Sequence, residues 1–330
     1  MKTIGLEEHF VTADVVEAWR TLDPQWQDPT LGYYVTDEES GRRLADLTRD
    51  RFAAMAETGL DVAVLSLTAP GVQNLAPDNA VTLQIAANDL LADTVRAHPD
   101  RLQGFATLAT PAPAAAAREL ERAVTELGLN GAMLFGRTRD HNLDHRDFWP
   151  IFEAAAALGA PLYLHPQSPR PMVRAAYYRG FNRGLDDAFA THGIGWHYET
   201  GIQLLRLILS GVFDRFPDLQ VIVGHWGEMV LFYLDRIDTL TPAAKLARPL
   251  SDYVRNNVFV TPSGIFNHRY LRWAIEIVGV ERILFSTDYP FQCAPCGGAR
   301  RFLEEANLED SDRQRIASGN WENLVAAVKR

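Results

Sequence analysis

The opening segment Thr3-Ile4-Gly5-Leu6-Glu7-Glu8-His9 sets the pattern that decides the fold. Its apolar residues run into a carboxylate and an imidazole, and seven more short runs rich in Val, Ile, Leu or Phe follow along the chain. The eight runs occupy residues 3–6, 62–67, 104–108, 131–135, 162–164, 220–223, 258–260 and 283–285. Eight strands that alternate with helices predict an α/β fold, a (β/α)8 TIM barrel.

Helical spacing fills the segments between these runs. The predicted helices occupy residues 44–57, 80–97, 114–127, 148–158, 201–213, 228–240, 268–278 and 311–328. Two polar segments interrupt the alternation. Residues 23–43 are predicted to lie as an insertion over the barrel mouth, and residues 168–197 to form either a lid or a subunit contact. No linker divides the chain, so residues 1–330 are predicted to form a single domain.

Composition and charge exclude several classes of partner. The chain has 330 residues, is 47% hydrophobic and carries 32 Lys and Arg against 42 Asp and Glu, for a net charge of −10. No basic stripe of the kind that follows nucleic acid is present. The apolar runs have strand length, and no signal-peptide core precedes the first strand. We therefore expect a soluble, cytoplasmic protein with no nucleic-acid or membrane partner.

Two cysteines, Cys293 and Cys296, form a C-x-x-C pair after the eighth predicted strand. A redox site of the thioredoxin type requires its own βαβ context, and a structural zinc site usually has four ligands. The sequence favours two reduced thiols on a loop.

Metal-ligand side chains follow several of the predicted strands. They are Glu7, His9, His165, His225 and Asp288. In a barrel of this kind, the carboxyl ends of the strands meet at one mouth, where chemistry is carried out. Glu7 and His9 are two residues apart on a strand and therefore share a face. Imidazole and carboxylate ligands together favour Zn2+ or Mn2+ over calcium or magnesium, and the sequence does not separate the two.

The chain resembles the amidohydrolase superfamily, and within it the metal-dependent decarboxylases of aromatic acids. The motifs that carry the resemblance are Leu6-Glu7-Glu8-His9-Phe10, Tyr163-Leu164-His165-Pro166, Gly224-His225-Trp226-Gly227-Glu228, Arg236-Ile237-Asp238 and Phe285-Ser286-Thr287-Asp288-Tyr289-Pro290-Phe291. The resemblance covers nearly the whole chain and implies a barrel of amidohydrolase type with loop insertions over the C-terminal mouth. Binuclear relatives place a lysine after the fourth strand, where this chain has Arg137, so one metal ion is expected.

The resemblance also assigns roles to individual residues. It implies that the metal ligands are Glu7, His9, His165 and Asp288. It implies an acid/base pair formed by His225 and Glu228, whose three-residue separation is about one turn at a strand-to-helix junction. It implies that Arg236 contacts the substrate's carboxylate, although a surface or subunit salt bridge is an alternative for this arginine. The apolar residue Phe291 is expected to contact an aromatic substrate.

The Glu-x-His opening discriminates within the superfamily, because hydrolytic members typically begin with His-x-His. It favours non-oxidative decarboxylation of a hydroxylated aromatic carboxylic acid, in which Asp288 protonates the ring carbon before CO2 leaves. The alternative is hydrolysis of a lactone, amide or ester by the same metal. Family members assemble as dimers or tetramers, so the resemblance also implies a homo-oligomer.

Overall fold

The computed structural model describes residues 1–31, 38–292 and 297–330. Cys293, Cys296 and part of the predicted 23–43 insertion lie outside the described residues. The strands are β1 Ile4–Phe10, β2 Val62–Leu67, β3 Leu102–Gly104, β4 Ala106–Thr107, β5 Ala132–Phe135, β6 Arg137–Thr138, β7 His141–Asn142, β8 Leu162–His165, β9 Val221–Val223 and β10 Val258–Val260. Strands β6 and β7 pair antiparallel with each other, and the others pair in parallel.

The parallel strands close into a ring. One sheet has the order β1-β2-β3 and the other β10-β9-β8-β5-β4. The two sheets join at Phe105, whose N–H donates to Leu65 O at 2.9 Å. The ring closes on the other side through residues 283–289, because Leu284 N donates to Val260 O at 2.9 Å and Leu6 N donates to Phe285 O at 3.0 Å. The predicted (β/α)8 barrel is confirmed, and residues 283–285 occupy its eighth strand position.

Helices surround this ring. The α-helices are Ala13–Arg20, Glu38–Ala45, Arg49–Thr58, Pro77–Ala97, Pro113–Thr125, Trp149–Leu158, Pro171–Tyr177, Arg183–Ala188, Gly195–Leu209, Val212–Arg215, Leu234–Ile237, Thr241–Ala244, Leu250–Asn257, His268–Val278, Gly298–Glu304, Asp310–Gln314 and Asn320–Ala326. Short 3-10 turns cover Arg146–Phe148, Leu231–Tyr233, Asp238–Leu240 and Val280–Arg282, and π-turns cover Phe189–Gly193 and Arg315–Gly319. Among the described residues, none of the helices combines the length and apolar character needed to cross a lipid bilayer.

One helix prediction is wrong, and the helix before β10 was not predicted. The continuous helix expected over 228–240 is a series of short turns, which begins with left-handed backbone at His225–Glu228. The helix that leads into β10 is Leu250–Asn257, which the sequence analysis did not predict. Its sequence, LSDYVRNN, is polar over much of its length, so hydrophobic spacing gives a weak signal there.

A bulge in β1 directs the first two site residues into the barrel. Ile4 and Leu6 pack in the apolar cluster inside the ring together with Val62 and Val64. The pairing of β1 with β2 then shifts by one residue between Gly5 and Glu8. Side chains alternate strictly between the two faces of a regular strand, so an extra residue reverses the faces beyond it. Residues 7 and 9 consequently join the interior face, which Ile4 and Leu6 occupy before the bulge.

Candidate active site

Four predicted ligands converge at the mouth of the barrel. Glu7 and His9 lie on β1, His165 ends β8, and Asp288 follows residues 283–285 in the eighth strand position. One ligand atom from each of the four lies within 4.8 Å of the others, and all four residues are buried. The separation is 3.1 Å between His165 Nε2 and Glu7 Oε1, and 3.4 Å between His9 Nε2 and Asp288 Oδ1.

The donor atoms of this cluster fit one divalent metal ion. Glu7 Oε1 and His9 Nε2 are buried and have no hydrogen-bond partner among the described residues. Leaving a buried polar atom unpaired costs about 1–3 kcal/mol, so two such atoms aimed at one point indicate a missing common partner. His165 Nδ1 lies 2.8 Å from Pro166 O and must donate to it, which leaves Nε2 with a free lone pair. A mixed set of two imidazoles and two carboxylates can therefore hold a single ion such as zinc or manganese.

The second oxygen of Glu7 is held by neighbouring hydroxyls. Tyr163 Oη donates to Glu7 Oε2 at 2.6 Å, and Ser263 Oγ donates to the same oxygen. Burial alone would raise the pKa of Glu7, but the charge of the nearby His225 imidazole brings it well below its ordinary value. Glu7 is thus ionised, with one oxygen fixed by hydroxyls and the other directed at the cluster.

Asp288 belongs to the cluster of candidate metal ligands and also faces the cavity above it. Its backbone is left-handed, with φ 62°, and the preceding Thr287 is fixed by Glu8, whose carboxylate accepts from Thr287 N at 2.9 Å and from Thr287 Oγ1 at 2.6 Å. Burial and the Glu7 carboxylate raise the pKa of Asp288 well above its ordinary value. A bound cation acts in the opposite direction. Asp288 is therefore a carboxyl group whose protonation depends on what is bound beside it.

His225 and Glu228 form the expected pair, but through a different backbone. His225 Nδ1 lies 2.6 Å from Glu228 Oε1. Between the two, Trp226 and Gly227 have φ values of 58° and 87°, so the pair is joined by a left-handed turn and not by the predicted helical turn. Burial lowers the pKa of His225, but the carboxylates of Glu228 and Glu7 outweigh it and raise the pKa to about 10. Burial raises the pKa of Glu228, yet His225 and His197 bring it below its ordinary value.

His197, which has no predicted role, lies beside this pair in the fold. His197 Nδ1 lies 2.8 Å from Glu228 Oε2, and the His197 and His225 rings are 4.5 Å apart between centroids. His197 lies 31 residues before Glu228, in the first turn of the helix Gly195–Leu209. No short-range spacing in the sequence indicates this contact, because only the fold creates it.

A cavity of about 320 Å³ lies above the four candidate metal ligands. Its lining residues are Thr30, Ser40, Thr68, Ala69, His165, His192, Trp196, His197, His225, Ser263, Ile265, Asp288, Pro290, Phe291 and Gln292. A volume of this size suits one small aromatic molecule. His192, Trp196 and His197 belong to the segment 168–197, whose last residues begin the helix Gly195–Leu209. The predicted insertion therefore covers part of the mouth within a single chain.

The two expected substrate contacts are placed differently. Phe291 lines the cavity, and its ring centroid is 5.7 Å from that of His9. Arg236 lies on the exposed side of Leu234–Ile237, and it is not among the described residues that line the cavity. Within one chain, Arg236 therefore lies outside the cavity, and its contact with a substrate carboxylate stays a prediction.

Known proteins resemble this chain over almost its whole length. The sequence matches the amidohydrolase family over residues 9–324. A γ-resorcylate decarboxylase from Polaromonas sp. is 37% identical, with 97% of each chain covered, and one from Rhizobium sp. is 33% identical with the same coverage.

Solved structures agree with the sequence comparison. The crystal structure of 5-carboxyvanillate decarboxylase from Sphingomonas paucimobilis has a TM-score of 0.90 and 37% identity, covering 98% of this chain and 99% of that one. A dihydroxybenzoic acid decarboxylase from Polaromonas sp., solved with bound manganese and the inhibitor 2-nitroresorcinol, has a TM-score of 0.85 and 36% identity, covering 98% and 97%. The chain belongs to the amidohydrolase family, in the group of metal-dependent decarboxylases that these relatives represent.

Proposed function

We propose that this protein is a metal-dependent decarboxylase, a carboxy-lyase whose substrate is a hydroxylated aromatic carboxylic acid. The position of Asp288 carries the proposal, since this residue belongs to the metal cluster and also lines the cavity. From this position its carboxyl group can take up a proton from a bound acid or water and present it to a ring in the cavity. The names of the relatives, all decarboxylases of hydroxylated aromatic acids, support the same reaction.

We assign the metal ligands as Glu7, His9, His165 and Asp288. Their two unpaired buried atoms and the fixed tautomer of His165 support this assignment. The ion is proposed to be manganese or zinc, and manganese is the ion bound in the similar structure from Polaromonas sp.. When bound, the ion supplies positive charge that holds the oxygens of an anionic substrate and favours its phenolate form.

Asp288 is proposed to take up a proton from the bound acid or from a water molecule, and to transfer it to the ring carbon that carries the carboxylate. Direct loss of CO2 would leave an electron pair in an sp² orbital in the plane of the ring, where it cannot delocalise. Transfer of the Asp288 proton makes that carbon tetrahedral, so the bond to the carboxylate can align with the π system. That bond then breaks, its electrons return to the ring, and CO2 leaves as aromaticity is restored. A hydroxyl ortho to the carboxylate makes the ring carbon basic enough to accept the proton.

His225 and Glu228 are proposed to manage the proton of a substrate hydroxyl. Nδ1 of His225 is bound to Glu228, so Nε2 is the nitrogen available to a ligand in the cavity. Its raised pKa keeps the imidazole protonated at neutral pH in the metal-free site. A cationic donor there can bind an anionic oxygen of the substrate and return a proton to the product.

Phe291 is proposed to contact the substrate ring, because it lines the cavity beside His9. The role of Arg236 stays a prediction, since this residue is exposed and lies outside the cavity lining.

We also propose that residues 1–330 act as one domain in a cytoplasmic homo-oligomer, a dimer or a tetramer. Phe232 and Tyr233 are 63% and 49% exposed, and such large apolar surfaces favour a subunit contact. Trp226, which precedes them in the chain, is buried and donates from Nε1 to Ile265 O at 2.8 Å. Solution mass measured by light scattering tests the assembly.

The test of the function is one panel of hydroxybenzoates. Purified protein is assayed for metal content, for CO2 release and for loss of substrate absorbance, and bicarbonate is added to the phenols to detect the reverse reaction. We expect CO2 release from acids with an ortho hydroxyl, in proportion to bound manganese or zinc. Opening of lactones without CO2 release from any acid would instead favour the hydrolase alternative.

A further inference from the structure

Glu228 has a histidine on each of its two carboxylate oxygens. His225 Nδ1 lies 2.6 Å from Oε1, and His197 Nδ1 lies 2.8 Å from Oε2. The Glu228 side chain is fully buried, with 0% of its side-chain surface exposed. Among the described residues, its carboxylate has these two hydrogen-bond partners only. Removal of His197 would therefore leave Oε2 of a buried carboxylate unpaired, and the group would have to rotate away from its position.

The orientation of His197 is itself fixed. Its Nδ1 faces the Glu228 carboxylate, and its Nε2 lies 3.3 Å from His192 O. Since a carboxylate only accepts, Nδ1 of His197 is the donor to Glu228. His192 and His197 both belong to the part of the chain that covers the cavity mouth. The hydrogen bond to Glu228 thus connects that cover to the acid/base pair.

A second contact joins the same helix to the turn that carries Glu228. A Cβ added at Gly201 would lie only 2.5 Å from Glu228 O, so the helix Gly195–Leu209 packs directly on the backbone of this turn. The turn is left-handed, with φ 51° at Glu228, and no regular helix fixes it there. The position of the carboxylate therefore depends on the helix that also carries His197.

We propose that His197 is a positioning residue: it holds Glu228 by Oε2 so that Oε1 keeps His225 in the orientation needed at the cavity. The covering segment would then complete the acid/base pair as well as shield the site. The activity arm of the test rests on the proposed decarboxylase function, and the spectroscopic arm does not.

The activity arm uses 2,6-dihydroxybenzoate as the probe and metal-loaded protein. We expect His197→Ala to lower kcat by about tenfold or more, with KM changed by less than about threefold and metal content unchanged. His197→Asn, whose amide nitrogen can replace Nδ1, should recover most of the loss. In a Glu228→Gln background, His197→Ala should have no further effect, because it acts through Glu228. Tyr198→Ala, an exposed neighbour in the same helical turn that does not line the cavity, is the matched control.

Three results in this arm would overturn the proposal. They are a wild-type kcat for His197→Ala, an Asn variant no better than the Ala variant, and losses that multiply in the double variant.

The spectroscopic arm follows the imidazoles by NMR in zinc-loaded protein with 15N-labelled histidine. The His225 signals are identified by their absence in His225→Gln. We expect His197→Ala to change the Nδ1 signal of His225 and Tyr198→Ala to leave it unchanged, and an unchanged signal in both variants would refute the positioning role. If the wild-type protein released no CO2 from any acid, the proposed function would fail while this measurement still decided the role of His197.

Discussion

Gly224 separates Glu7, a proposed metal ligand, from the turn that carries His225. A Cβ at this position would lie 2.4 Å from Ser263 Oγ, 3.0 Å from Glu7 Oε2 and 3.1 Å from Tyr163 Oη. Gly224→Ala should therefore displace Glu7 and lower the metal content of the purified protein severalfold, together with its activity. Gly136→Ala is the control, because its nearest neighbour would be 3.5 Å away. Full metal content in Gly224→Ala would show that this contact does not position the ligand.

The raised pKa of His225 predicts a pH dependence of stability. Burial opposes the shift, but Glu228 and Glu7 raise the pKa from 6.5 to about 10 in the metal-free site. The folded state binds this proton more tightly than the unfolded state, so the stabilisation is complete below pH 6.5 and is lost as the pH rises through about 10. The melting temperature of metal-free protein should fall more between neutral pH and pH 10 in the wild type than in His225→Gln. Equal falls in the two proteins would contradict the shift.

Single residues divide clearly into those that the sequence predicts and those that it does not. Glu7, His9, His165 and Asp288 were predicted to meet because each follows a strand, and the closed barrel brings strand ends together. His197 follows no strand and reaches Glu228 only through the packing of a helix on a turn. Contacts of that kind depend on tertiary structure, which residue spacing does not contain.

At the scale of elements, hydrophobic runs predicted the strands well and the irregular backbone poorly. The bulge in β1 and the left-handed turn from His225 to Glu228 both lie at the site. Each depends on a few backbone dihedral angles that leave no periodic pattern in the sequence. A regular β1 would have turned Glu7 and His9 away from the barrel interior, so the function depends on an irregularity that strand periodicity does not predict.

A left-handed residue ends the short helix Thr241–Ala244, which follows the segment 228–240. Lys245 follows Thr241–Ala244 with φ 55° and ψ 37°, and it is exposed. A side chain is strained in this region of backbone space, whereas glycine is not. Lys245→Gly should raise the free energy of unfolding by about 1 kcal/mol and the melting temperature by about 2 °C. Lys245→Ala should give no such gain, and a glycine variant that melts below the wild type would refute the explanation.

At the scale of the whole molecule, the proposed metal ligands connect the first strand of the barrel to the residues that follow its eighth strand position. Residues 7 and 9 on one side and residue 288 on the other lie at the point where the ring closes. An ion that binds only the folded protein stabilises it by about 4 kcal/mol when present at about 1,000 times its Kd. Chelation should therefore lower the melting temperature by several degrees, and manganese or zinc should restore it. The melting temperature of His165→Ala should not respond to either treatment, and an unresponsive wild type would contradict the assigned site.

The most direct test of proton transfer from Asp288 compares the wild type with Asp288→Asn. Both proteins are incubated with 2,6-dihydroxybenzoate, and CO2 release and bound metal are measured in the same samples. We expect metal-dependent CO2 release by the wild type, and an Asn variant that keeps much of its metal but releases no CO2, since it lacks the proton donor. CO2 release by the metal-loaded Asn variant at the wild-type rate would contradict the proposed role of Asp288 as the proton donor.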